Sequence, residues 1–189
     1  MISTRAPGNK IRGTPLVTMK LKSISMNRQN LKGPRIPPGM VLVQDTREQL
    51  PLFTGVTVEG LQVVSDTLPC GDYSLRGFEE RFVIERKKVS DFFSYIGKER
   101  TRTQVKMARF REIVAAGGFV GLVIEALEAD ILSGYIMSRV SPETARQALV
   151  SFEVRYGLHI YYSRSRDDIA RWVLDRAIKF YKMQREVNQ

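Results

Sequence analysis

Residues 82–93 read FVIERKKVSDFF, an apolar run that ends in Glu85, Arg86, Lys87 and Lys88 and resumes at Phe92. The opening residues have strand chemistry, aromatic and β-branched side chains in a short run. Side chains alternate along a strand, so Glu85 and Lys87 share one face while Arg86 points to the other. A carboxylate and an ammonium on one face of a core strand either pair at its exposed end or are held there for chemistry. Beyond the charges, Ser90 is expected as N-cap of a short helix, SDFFSYI, that stops at Gly97.

Upstream, Pro69-Cys70-Gly71-Asp72 spells a tight turn. YSL (73–75) and RFVIERK (81–87) then read as a hairpin around Gly77. If that hairpin folds back, Asp72 lands beside Glu85. Two adjacent carboxylates repel, which favours neutralisation by a divalent cation. Hard oxygen ligands without a His or Cys cluster point to Mg²⁺ or Mn²⁺ rather than zinc. A lysine two residues along is placed to orient a water or offset phosphate charge. The set is a plan for metal-assisted phosphodiester hydrolysis, although Glu-x-Lys alone is common and usually means surface pairing.

Further out, MVLVQD (40–45) reads as a buried strand ending in Asp45, and VEGLQVVSDTL (58–68) as a second strand. Thr101 and Gln104 form a capping box for a helix that ends before Gly117-Gly118, with Val105, Ala108, Ile113 and Ala116 as its apolar positions. GFVGLVIEA (118–126) is a strand followed by a polar loop, and Ser141-Pro142 opens a helix to about Tyr156. LHIYY (158–162) is the last strand; Ser165 and Asp168 frame a closing helix with the stripe Ile169, Trp172, Val173, Ala177 and Phe180. The order β-β-β-β-α-α-β-α-β-α predicts an early meander, then alternation: an α/β fold with a mixed sheet covered by helices.

The chain has 189 residues, a net charge of +10 and one cysteine. Residues 1–39 hold four Lys, four Arg and no acid, so the basic excess belongs to this arm and residues 40–189 carry only +2. The arm is read as flexible, with linker chemistry at PRIPPG (34–39) and enough alternation at TPLVTMKLKSISM (14–26) for an isolated strand. Such an arm suits phosphate neutralisation or is a solvated extension. A lone Cys70 excludes a disulfide framework and a multi-cysteine zinc site. No run reaches the ~18–20 apolar residues of a membrane span, and the N-terminus lacks a secretory apolar region. The expected location is intracellular: cytoplasm or nucleoid, or a nucleus.

GDY (71–73) and VIERKKVSD (83–91) resemble the G-D-(x)n-E-R-K-x-x-x-D motif of the XPF structure-specific nuclease family. VQDTRE (43–48) is similar to that family's first strand, Arg100 and Gln104 to its R-x-x-x-Q helix start, and FVGLVIEA to its central strand. Residues 141–173 are similar to its next helix, strand and final helix, so the resemblance covers about residues 40–185. It implies a restriction-endonuclease-like core in residues 40–189 and a Mg²⁺- or Mn²⁺-dependent endonuclease acting on branched, flap or junction DNA in repair, recombination or replication. By the same resemblance Asp72 and Glu85 bind metal, with Asp45 approaching the same site. Lys87 is the catalytic lysine, and Arg86 and Asp91 support activity. Glu48 sits near the site, and Arg47, Arg100 and Gln104 contact the DNA. A homodimer or heterodimer through the C-terminal helices is implied as well.

Two departures stand out. The gap between Asp72 and Glu85 holds twelve residues, which implies an extended hairpin. No helix-hairpin-helix module is visible, so junction specificity is expected to come from the arm or a partner. The alternatives are a non-catalytic DNA-binding or dimer-partner subunit of the same fold, and a nuclease of duplex or defence specificity. Other conspicuous residues read as structure: His159 packed in a core strand, Cys70 small and buried, Phe92, Phe93 and Tyr95 as packing rather than base stacking. Arg164 and Arg166 either bind phosphate or cap the last helix.

Overall fold

A computed structural model describes residues 34–56 and 58–187. The strand read from FVIERKK is present, and it organises the molecule. In chain order the elements are β1 (Val41–Asp45), β2 (Gln62–Asp66), β3 (Tyr73–Leu75), β4 (Phe82–Lys88), α1 (Val89–Ile96), α2 (Arg100–Ala115), β5 (Phe119–Glu125), α3 (Glu128–Leu132), α4 (Pro142–Val154), β6 (His159–Tyr162) and α5 (Arg166–Val187). They form one six-stranded sheet in the order β2-β1-β3-β4-β5-β6. β3 runs antiparallel to β1 and β4, and the remaining pairs are parallel.

Alternation along β4 decides which helix meets which residue. Phe82 and Ile84 join Leu42, Tyr73, Val123 and the α5 stripe Ile169, Trp172, Val173, Ala177 and Phe180 in one core. Val83 joins Val120, Leu122, Ile124 and the inner faces of α1, α2 and α4 in the other. Glu85 and Lys87 therefore face α1 and α2, and Arg86 faces α5. Gly121 of β5 lies under Trp172, where a Cβ would sit 2.9 Å from the indole ring.

Several expectations change. The early strands are not a meander, because β2 pairs with β1 in parallel at the sheet edge. Residues 46–61 are long enough for the crossover that a parallel pair requires, and they bury Leu52 and Phe53 on the way. The hairpin is not extended either. β3 has three residues, and the surplus length forms a loop closed by Phe82 N donating to Phe78 O (2.8 Å). Phe78 packs edge-on against Phe180 and Tyr181.

Neither Ser90 nor Thr101 caps a helix. β4 runs into α1 without a loop, so Lys88 is the N-cap, and α2 starts after Glu99 with no side-chain cap. On α2 the buried positions are Thr103, Met107, Phe110 and Ile113; Val105 is exposed, as are Ala108 and Ala116. The other two starts stand as read: Ser141 Oγ accepts from Thr144 N (3.1 Å) with Pro142 behind it, and Ser165 Oγ accepts from Asp168 N (3.2 Å). His159 lies on an edge strand, exposed, stacked on Phe119 at 4.7 Å between ring centroids.

Residues 34–39, read as linker, are docked: Ile36 packs on the α5 core and Arg185 donates to Pro38 O (3.0 Å). The rest of the basic arm, including 14–26, lies outside the described residues. Among the described residues no helix is long and apolar enough to cross a membrane.

Candidate active site

Gly71 sets the geometry. At φ +76° it turns the chain onto β4 so closely that a Cβ would lie 2.5 Å from Val83 Cγ1 and 2.9 Å from Ile84 O. A side chain here meets both a forbidden backbone region and a clash. The turn clamps Asp72 in place: its N–H donates to Ile84 O (2.7 Å), and its Oδ2 accepts from Arg86 N (2.6 Å). Asp72 thus stands beside Glu85, as the fold-back required.

Glu85 is completely buried. Lys87 Nζ donates to its Oε1 at 2.5 Å, and Lys106 Nζ reaches Oε1 at 2.7 Å and Oε2 at 2.9 Å. The Lys87 ammonium also lies 5.1 Å above the Tyr95 ring. Burial alone would raise the pKa of Glu85, but Lys87 and Lys106 outweigh it and hold the carboxyl below its usual range. For Lys87, burial is likewise outweighed by Glu85 and then Asp72, and its pKa rises. Asp72 makes no ion pair among the described residues, both ammonium groups resting on Glu85. Burial, followed by the charge of Glu85, pushes its pKa up to about 7.

This gives a pH signature. Asp72 rises from 3.8 to about 7 on folding, so across that interval the folded state binds more protons than the unfolded one. Its stabilising contribution is complete below 3.8 and is lost as pH rises through about 7. In EDTA, the thermal stability of the wild type relative to Asp72→Asn is expected to fall over that window. A difference that stays flat with pH contradicts the assignment.

Asp45 does not join the pair. Its N–H donates to Asp72 O (2.8 Å), yet its carboxylate turns away. It accepts from Arg47 N (2.8 Å), Arg47 Nε (2.7 Å), Arg47 Nη2 (2.8 Å) and Leu68 N (2.8 Å). The Arg47 hydrogen bonds carry its pKa down to about 2. Among the described residues, no group of three or more His, Cys, Asp or Glu is placed to hold a metal ion.

The ERCC4 domain family matches residues 44–175. The chain belongs to that family. Among solved structures it is similar to XPF from Aeropyrum pernix, with TM-score 0.57, 20% identity and coverage of 75% of this chain and 61% of that one. The same protein in complex with DNA gives TM-score 0.55, 19% identity and coverage of 76% and 66%. This ERCC4 chain therefore spans less than two thirds of either. The likeness establishes the restriction-endonuclease-like mixed sheet between helices. No curated protein matches the chain.

The other residues singled out in the sequence of this ERCC4 domain scatter around the carboxylate pair. Arg86 lies on the opposite face, buried. Its Nε and Nη2 donate to Glu48 at 3.0 and 2.6 Å, and its Nη1 donates to Glu125 at 2.7 Å. Glu48, expected near the carboxylate pair, belongs to this second cluster. Arg166 completes it, reaching Glu125 at 2.6 Å and Leu50 O at 2.6 Å, while Arg164 pairs with Asp130. Asp91 is exposed in the first turn of α1; its charge supports that of Lys87 without a contact. Arg47 is exposed; its hydrogen bond to Asp45 and the Asp45 charge raise its pKa, with lesser contributions from the charges of Asp72 and Glu85. Arg100 and Gln104 line a groove between α2 and α4.

Lys106 is the residue that sequence reasoning missed. It adjoins the buried stripe of α2, three residues after Thr103 and one before Met107, a position visible only once the helix is phased on those residues.

Proposed function

We propose that this ERCC4 domain is a metal-dependent endonuclease that hydrolyses phosphodiester bonds in branched, flap or junction DNA. The reading is carried by Asp72 and Glu85 side by side on a rigid turn and strand, with Lys87 on the same face. A two-carboxylate, all-oxygen donor set fits Mg²⁺ or Mn²⁺, which keeps several waters and takes only one or two protein carboxylates. When bound, the ion supplies a polarised phosphoryl oxygen and an acidified water. Asp72 and Glu85 hold it. Lys87 stays protonated and faces the phosphate, stabilising the charge that builds on its oxygens or orienting the attacking water. Arg47 is placed to position the DNA backbone. Dimerisation belongs to the same reading; Val154 on α4 and Met183 and Val187 on α5 are exposed apolar residues available for it.

The test is purified protein with labelled flap, fork, Holliday-junction and plain duplex DNA, with Mg²⁺, Mn²⁺ or EDTA. Metal-dependent cleavage of branched substrates is expected. Tight branched-DNA binding without cleavage overturns the enzyme reading in favour of a binding subunit, and preferred cleavage of plain duplex overturns the structure specificity.

Lys106 competes with a cation for Glu85. Its side chain is 36% exposed, against 17% for Lys87, so it is the ammonium freer to leave. Removing that charge favours a dication at the pair. Lys106→Met is expected to tighten Mn²⁺ binding roughly tenfold, measured by calorimetry. Unchanged or weaker affinity makes Lys106 a support of Glu85 instead.

A further inference from the structure

Lys87 and Lys106 share one acceptor: both ammonium groups reach Oε1 of Glu85, at 2.5 and 2.7 Å. Their other surroundings differ. Lys106 is the more exposed and lies over no ring, since the cation–ring contacts among the described residues belong to Lys87, Arg176 and Arg185. Lys87 is enclosed, and its Nζ sits 5.1 Å from the centroid of Tyr95. That distance lies inside the ~6 Å over which a ring face attracts an ammonium. The attraction grows when both partners are withdrawn from water.

The ring is held from three sides. Helix α1 continues β4 without a loop, so Tyr95 follows Lys87 on one unbroken run of strand and helix. Its carbonyl accepts from Thr103 Oγ1 of α2 (2.6 Å). Its ring meets Phe152 of α4 at 6.2 Å between centroids and 62° between planes. Tyr95 is 5% exposed, and its hydroxyl has no hydrogen-bond partner among the described residues. The face of the ring, not the phenol, is the part of this side chain that meets a charge.

We infer that Tyr95 is a positioning residue, whose ring seats the Lys87 ammonium when Glu85 gives its oxygens to a dication. This rests on the nuclease reading above, in which Asp72 and Glu85 hold the ion. Without an ion, the two oxygens of Glu85 accept three ammonium contacts. Once those oxygens serve an ion, both lysines lose their acceptor and are repelled by the new charge as well. Lys106 has no ring beneath it and swings toward solvent. Lys87 keeps Tyr95, and with it the place on the Glu85 face from which it meets the phosphate. Misplacement by about 1 Å is enough to forfeit much of such a contact.

The test has two arms, both on the full chain. In the first, lysines are labelled with ¹³C at Cε, and Lys87→Arg and Lys106→Arg assign the two signals. The Hε protons of Lys87 are expected to be shifted upfield by the Tyr95 ring, and to stay shifted when Mg²⁺ is added without DNA, while the Lys106 signal moves. Loss of the Lys87 shift on adding Mg²⁺, with Lys106 responding, overturns the inference alone. Response of neither signal, with no heat of binding by calorimetry, removes the metal reading and the inference with it.

In the second arm, Tyr95→Phe is the reference, and the same phenylalanine then carries one, two or three ring fluorines. Fluorine drains the ring face of negative charge at nearly constant shape. Single-turnover cleavage of a fork at saturating DNA is expected to slow with each fluorine, reaching roughly tenfold at three, with Mn²⁺ affinity and the KM for DNA unchanged. Rates that follow the melting temperature and ignore the fluorines make Tyr95 a packing residue and overturn the inference. Absence of cleavage from every protein removes the nuclease reading, while the Lys87 shift in Mg²⁺ still reports the seat.

Discussion

Asp72→Asn is expected to abolish cleavage, by roughly a thousandfold or more, without weakening the fold. The asparagine still offers an oxygen to Arg86 N, so the bond that clamps the turn onto β4 is kept. What disappears is the charge that burial and Glu85 disfavour, which makes the variant at least as stable as wild type above pH 7. Glu85→Gln is expected to lose cleavage to the same extent but with a stability cost. Lys87 and Lys106 both rest on Glu85, and Lys87 is largely buried. The pair of variants separates chemistry from folding: activity falls in both, stability only in the second. Single-turnover cleavage of a flap or fork substrate, together with thermal melts, reads both quantities. Wild-type cleavage by either variant removes Asp72 and Glu85 from the reaction.

The carboxylate pair was legible in the sequence because both of its determinants are local. Alternation fixes the face of Glu85 and Lys87, and Gly71 permits the positive-φ turn that returns Asp72 to the strand. The α5 stripe was legible for the same reason, since five buried residues keep helical spacing. What failed was non-local or weakly patterned. A strand at position 58–68 says nothing of its partner; only the long connection before it favours the parallel pairing seen with β1. Helix α2 misled because its inner face mixes Thr103 with Met107 and Phe110, while Val105 and Ala108 look apolar and are exposed. Phasing the helix on the wrong face hid Lys106 and, with it, half the charge that holds Glu85 ionised. Asp45 stands at the end of β1 as read; that Arg47, only two residues away, takes its carboxylate is a contact the strand pattern does not display.

Arg86→Met is expected to destabilise the domain by about 3–5 kcal/mol while sparing catalysis in the molecules that remain folded. The guanidinium lies on the α5 face, with its side chain 7% exposed, and spans two carboxylates, Glu48 and Glu125. Burial opposes its charge, and hydrogen bonds and charge from Glu48 outweigh that opposition, raising its pKa. Methionine fills the space but leaves Glu48, itself 6% exposed, without its counter-ion, and an orphaned buried carboxylate is the costly product. Glu125 keeps Arg166, so the loss concentrates at Glu48. The double variant Arg86→Met with Glu48→Gln is therefore expected to regain a large part of the stability, because no buried charge is stranded. Arg86→Lys is expected to rescue poorly, since an ammonium cannot reproduce the two-pronged contact with Glu48. Thermal melts order the four proteins, and cleavage at low temperature per folded molecule gives the second axis. A stable Arg86→Met protein without cleavage reverses the argument and makes Arg86 part of the reaction despite its face.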